Sequence, residues 1–203
     1  MRKSKLNIIT LICGLLFLIS CGRNQKITYF ENGIVKSDLS YKNDVLDGES
    51  KYYYYTGVMQ SQYVYKNGKL EGESRIYYFN GNIQFLNFYI AGKKNGQSIS
   101  YYENGKVNEI YNYVNDTLTG PYKAFFDDES IRIEGKYTNN QFDSTWSYYD
   151  QFGRMVGEGK FENGTGLLNS FYGNGKVKSS IPYINSEIAG PEQSYSPSGE
   201  LLQ

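Results

Sequence analysis

Few residues in this chain can do chemistry. Its 203 residues include no His and two Cys, Cys13 and Cys21. That removes the commonest general base and metal ligand. Cys/His zinc sites, thiol catalysis and His-dependent triads go with them. Carboxylates and phenols remain. Glu49 and Glu73 stand 24 residues apart, a repeat that suggests paired catalytic acids. Each follows a Gly of one recurring series, however, and Gln97 and Pro121 fill the same slot elsewhere, so both read as decoration of a repeat. Asp127-Asp128-Glu129 sets three carboxylates side by side, the hard-oxygen chemistry of calcium. No EF-hand spacing surrounds them, and they read as a solvated loop. No catalytic residue, metal or cofactor is therefore expected. Binding chemistry is richer, with 22 Tyr and 11 Phe. Tyr54, Tyr78 and Tyr102 form a row able to stack sugars or anchor a protein partner. Trp146, the one Trp, takes a slot that is small or polar in other units and reads as packing or as a contact hot spot. Lys plus Arg and Asp plus Glu are both 21, so the net charge is +0. That balance excludes a nucleic-acid binder driven by phosphate attraction.

A different chemistry sits at the N-terminus. Arg2, Lys3 and Lys5 precede an apolar run from Leu6 to Ile19. This is the layout of a secretory signal, shorter than the roughly 20 apolar residues of a membrane-spanning helix. Leu18-Ile19-Ser20-Cys21 resembles a bacterial lipobox. The resemblance implies a signal peptide over 1–20, a diacylglyceryl thioether on Cys21, and a short tether over 21–27. Gly22 in place of Asp implies, by similarity to enterobacterial sorting rules, an outer-membrane lipoprotein of the bacterial envelope. Loss of residues 1–20 removes three basic residues and leaves a net charge of −3. A mildly acidic chain has no overall pull toward anionic headgroups. Membrane contact then rests on the acyl chains, at about 0.8 kcal/mol per buried CH₂.

The rest of the chain keeps one clock. Turn glycines fall at Gly33, Gly57, Gly81, Gly105, Gly153, Gly175 and Gly199, with Glu129 in the fifth slot. A second series falls at Gly48, Gly72, Gly96, Gly120, Gly166 and Gly190, with Ser144 filling the gap. The step is 24 residues except for one step of 22 in each series, from two residues missing between Gly164 and Gly166. Four before each first-series position stands an aromatic, from Tyr29 to Tyr195. Two after it stands an aliphatic or Met, and eight after it an aromatic again, from Tyr41 to Tyr183. Such a period marks a repeat architecture.

Within each unit the composition is that of strands. Ile83, Phe85 and Tyr89 share parity and are expected on one face. Asn-Gly pairs at 32–33, 67–68, 104–105, 163–164 and 174–175 signal hairpin turns. A three-residue loop, Glu103-Asn104-Gly105, sets Tyr101 opposite Val107. A two-residue loop, Asn67-Gly68, sets Tyr65 opposite Leu70. The odd spacing from Leu70 to Tyr77 then requires a bulge near Gly72. Glu129 takes a left-handed position at a cost of about 1–2 kcal/mol, so the fifth loop is expected to re-form. About fifteen strands result, roughly 4.8 Å apart. The expected fold is all-β: an elongated, open, single-layer antiparallel sheet of repeated β-hairpins over 28–203. Its stability is a sum over neighbours, and a terminal strand near Leu201 is open to edge-to-edge self-association.

Tyr101-Tyr102-Glu103-Asn104-Gly105-Lys106-Val107 and Tyr65-Lys66-Asn67-Gly68-Lys69-Leu70-Glu71-Gly72 resemble the MORN-variant repeat of bacterial YwqK-type antitoxin-component proteins. The resemblance spans about residues 28–203 and implies the hairpin fold. It also implies a protein partner. Asp116-Thr117-Leu118 and Asp143-Ser144-Thr145 resemble acceptor sites of Bacteroidetes-type O-glycosylation. The expected function is non-catalytic: a membrane-anchored lipoprotein whose sheet is a protein-interaction scaffold. The alternatives are an immunity or antitoxin protein that neutralises a toxin, and a carbohydrate-binding surface.

Overall fold

Runs of strand-forming residues separated by tight turns satisfy their backbone groups by pairing each run with the next. A computed structural model, which describes residues 22–202, has that arrangement. Among the described residues nineteen strand segments form one antiparallel sheet. They amount to fifteen passes, because four passes break in two: Lys69–Leu70 with Gly72–Tyr77, Lys93–Lys94 with Gly96–Tyr101, Thr117–Leu118 with Gly120–Phe125, and Glu187–Ile188 with Gln193–Ser194. The sheet is open. Among the described residues Arg23–Tyr29 pairs with Val35–Lys42 alone, and beyond Gln193–Ser194, which pairs with Val177–Ile184, there is one further bridge, Tyr195 to Leu201. The signal segment 1–20 and Cys21 lie outside the described residues. The expected tether does not: residues 23–27 belong to the first strand, in register from Arg23↔Lys42 to Ile27↔Asp38.

Two turn types alternate. In the three-residue turn the Phe30 N–H donates to the Ile34 carbonyl at 2.8 Å, and the Gly33 N–H to the Phe30 carbonyl at 2.9 Å. Tyr101 faces Val107 across the equivalent turn, as expected. In the two-residue turn both residues are left-handed, as in Asn67 (φ 50°) and Gly68 (φ 77°), the geometry that matches strand twist. Tyr65 faces Leu70 there. The fifth loop does not re-form. Glu129 adopts φ 72°, and its N–H donates to the Phe126 carbonyl at 3.0 Å, so the three-residue turn survives without its Gly.

Each unit carries two bulges. The expected one is at Gly72: pairing runs Tyr65↔Leu70, then Ser61↔Ile76, with Gly72 at φ 76°. Where two residues are missing before Gly166 this bulge is gone, and register is unbroken from Glu162↔Thr165 to Gly157↔Ser170. The other bulge has no glycine and was not expected. Tyr77 pairs with Ile83 but Ile76 with Phe85, which leaves Gln84 extra. Paired residues share a face, so Ile83 and Phe85 lie on opposite faces, and the shared parity read from the sequence is corrected. The aromatics four before each turn position lie on one face, here the reverse face. Those eight after it lie on the other, the core face.

The core face holds the buried apolar cluster of Tyr122, Ala124, Trp146 and Phe161. Its slots follow the repeat. Ser50, Ser74 and Ser98 in the early units become Tyr122, Trp146 and Leu168 later. Both edges are laced between units. The Gly68 N–H donates to the Leu46 carbonyl and the Gly92 N–H to the Leu70 carbonyl, each at 2.8 Å. On the opposite edge Asn80 Nδ2 donates to the Glu103 carbonyl at 2.9 Å.

Candidate interaction surface

Trp146 stands two residues after Ser144, in the strand Gln141–Tyr149. It is 3% exposed. The indole stacks on Tyr122 at 5.3 Å, meets Tyr137 edge-on at 5.0 Å and lies 4.5 Å from Phe142. Its Nε1 donates to the Lys136 carbonyl at 3.1 Å. Gly135 makes room, because a Cβ there would enter the ring. The structure therefore places Trp146 in the packing role, with its ring inside the cluster.

The Tyr54, Tyr78 and Tyr102 row is half-buried. Their hydroxyls donate to the carbonyls of Tyr77 (3.2 Å), Tyr101 (2.7 Å) and Phe125 (2.7 Å). Tyr172 does the same to Tyr195 at 2.7 Å. The row ties each unit to the next along one edge, and its polar ends are already engaged.

Carboxylates are engaged too. Glu49 pairs with Lys51 at 2.6 Å and accepts from Gln62. The Lys51 hydrogen bond holds its pKa below the usual range, the reverse of what a general acid needs. Glu73 pairs with Arg75 on its own strand. Asp128 accepts from the Ser130 hydroxyl at 2.5 Å and N–H at 2.9 Å, which lowers its pKa. Glu109 receives the hydroxyls of Tyr111 and Tyr122, each at 3.0 Å, with Arg132 at 3.6 Å. Burial first, then the charge of Glu109, raises the Tyr111 pKa; burial first, then Tyr111, raises that of Tyr122. Among the described residues no cluster of three or more Cys, Asp or Glu is suited to a metal ion, and no helix is long and apolar enough to cross a membrane.

What the sequence reading passed over is the rim of three-residue turns. Tyr55, Phe79 and Phe152 are exposed there, Tyr55 by 64% and Phe152 by 83%. Their signal was present: Tyr55 and Phe79 stand two before a turn Gly and Phe152 one before, in slots that hold Glu31 and Asn104 elsewhere. Exposed rings this large on a soluble surface mark interaction sites more often than isolated aliphatic residues do.

The hairpin register can now be set beside known repeats. A model of the MORN repeat variant matches residues 25–43, 46–67, 70–91, 94–115 and 165–185, just over half of the chain. The chain belongs to the MORN repeat variant family. Among curated proteins none matches it. MORN repeats are generally protein- or membrane-interaction modules. Three of the matched units, 46–67, 70–91 and 94–115, carry Ser50, Ser74 and Ser98, and a fourth, 165–185, carries Leu168 in the same slot. The unmatched stretch, 116–164, contains the whole buried cluster and still keeps the hairpin ladder.

Proposed function

We propose that this protein is a non-catalytic, acylated envelope protein whose ribbon docks a protein partner along the rim of three-residue turns. The exposed rings of Tyr55, Phe79 and Phe152 carry this reading. They line the edge opposite the one at which the chain enters the sheet, since Arg23 pairs with Lys42 beside the two-residue turn. The lipobox at Leu18–Cys21 supports the anchor, and Gly22 favours the outer membrane.

Two measurements test the two halves. Cys21→Ala should block acylation and signal cleavage and leave residues 1–20 on the chain; unaltered processing would remove the anchor. A photo-crosslinking residue at 55, 79 or 152 should give one discrete adduct in envelope extracts, and one at 123 on the reverse face should give none. Equal adducts at all four positions would remove the rim. The adduct's identity separates a scaffold from an immunity protein bound to a toxin.

A further inference from the structure

The first strand starts two residues after Cys21. Two residues span at most about 7 Å, so an acyl group on Cys21 holds the sheet at the bilayer without a linker. This inference rests on the acylated-anchor reading above. The strand enters at the edge of two-residue turns, because Arg23 faces Lys42 and the turn Asn43-Asp44 follows. The first three turns of that edge are basic and apolar. Lys42 pairs with Val45, Lys66 with Lys69, and Ile90 with Lys93. All six are exposed, and so is Val114 at the fourth turn. None of the four lysines pairs with a carboxylate among the described residues.

Nearby carboxylates accept backbone N–H groups. Asp47 accepts the Asn67 N–H at 3.1 Å, Glu71 the Ala91 N–H at 2.8 Å, and Asp116 the Lys94 N–H at 2.7 Å. Asp44 is the one exposed acid among these first three turns. Farther from the anchor the sign changes: Glu162 and Glu187 occupy the rim at the sixth and seventh turns. The net charge of −3 that remains after loss of residues 1–20 therefore conceals a local basic edge beside the anchor. We propose that this edge rests on the anchoring bilayer, with Lys42, Lys66, Lys69 and Lys93 among anionic phospholipid headgroups and Val45, Ile90 and Val114 at the interface. Long lysine stems suit that depth, with apolar methylenes inward and ammonium groups at the phosphates.

The test uses the full acylated protein purified from membranes. It is reconstituted into vesicles of phosphatidylglycerol and phosphatidylethanolamine, or kept in neutral detergent micelles, and its amines are labelled and read by mass spectrometry. Lys42, Lys66, Lys69 and Lys93 should label at least roughly fivefold more slowly in the vesicles, the scale of one lysine's attraction to an anionic surface. Exposed Lys123 and Lys178 should not change. In a Lys42→Glu/Lys66→Glu variant with unaltered circular dichroism, the protection of Lys69 and Lys93 should fall. Equal labelling in vesicles and micelles overturns the proposal, as does protection that survives both Lys→Glu changes. The mass of the N-terminal peptide reports acylation separately. An acylated protein with an unprotected rim overturns this proposal alone, and an unmodified Cys21 overturns the anchor reading as well.

Discussion

Residues 25–115 and 116–164 share one backbone plan and differ in what fills the core face. The early units place Ser50, Ser74 and Ser98 in slots where 116–164 places Tyr122 and Trp146. Gly135 and Gly159 then replace the larger Tyr63 and Asn87 of the facing row, so the rings of Trp146 and Phe161 have somewhere to lie. Volume added at one position is removed at its neighbour, which keeps close packing without strain. The hairpin ladder depends on turns and bulges, and the side chains above it can be exchanged in compensating sets. The family model passes over 116–164, which holds the whole buried cluster, although the strands continue there.

Alkali should separate the two regions most sharply. Burial raises the pKa of Tyr111 and Tyr122, and pushes Tyr137 and Tyr148 up to about 12. A tyrosine whose folded pKa is raised contributes stability that is present below its unfolded pKa of about 10 and lost as pH rises through the folded value. The Trp146 emission maximum should move to the red above pH 10, with the shift complete beyond pH 12. A shift beginning below pH 10 would mean that these phenols do not hold the cluster.

Trp146→Ala should cost about 3–5 kcal/mol in urea unfolding followed by far-ultraviolet circular dichroism, the range for a large aromatic removed from a core. A loss under about 1 kcal/mol would put the later units on a par with the serine units. Gly135→Ala should cost about 1–3 kcal/mol by overpacking, and the cost should vanish when Trp146→Ala is also present. Independent, additive losses would show that the indole does not occupy the glycine's space. Glu129→Gly should gain about 1 kcal/mol by relieving the left-handed conformation. It loses an exposed pair with Lys106 at 3.9 Å that contributes little. Ser50→Ala should change stability least, by about 0.5 kcal/mol or less in either direction, since its buried hydroxyl has no hydrogen-bond partner among the described residues.

The sequence marks those features that need a particular residue. Left-handed turn positions and the bulge at Gly72 select Gly or Asn, so the period, the facing pairs Tyr101/Val107 and Tyr65/Leu70, and the missing bulge at Gly166 could all be anticipated. The other bulge occurs at Lys36, Gln60, Gln84, Asn108, Arg132, Val156 and Lys178, which have ordinary φ and share no residue type. With nothing to mark it, the assignment of faces went wrong there. The tyrosine row is ambiguous in the sequence for a related reason. Tyr54, Tyr78 and Tyr102 recur because each reaches a carbonyl of the next unit, and periodicity alone does not distinguish such a tie from a docking row. The anchor motif lies outside the described residues and rests on the sequence alone.

The bonds that lace successive turn tips have a bearing on how such a chain changes length. Each tip, as at Gly68 and Gly92, leans on a carbonyl of the hairpin just before it and lends one to the hairpin just after. A duplicated stretch of one period inserted between two units would find both partners waiting, and an excised one would let its neighbours close ranks. Descendants of this gene can thus gain or lose reach in fixed increments, with no alteration to either terminus.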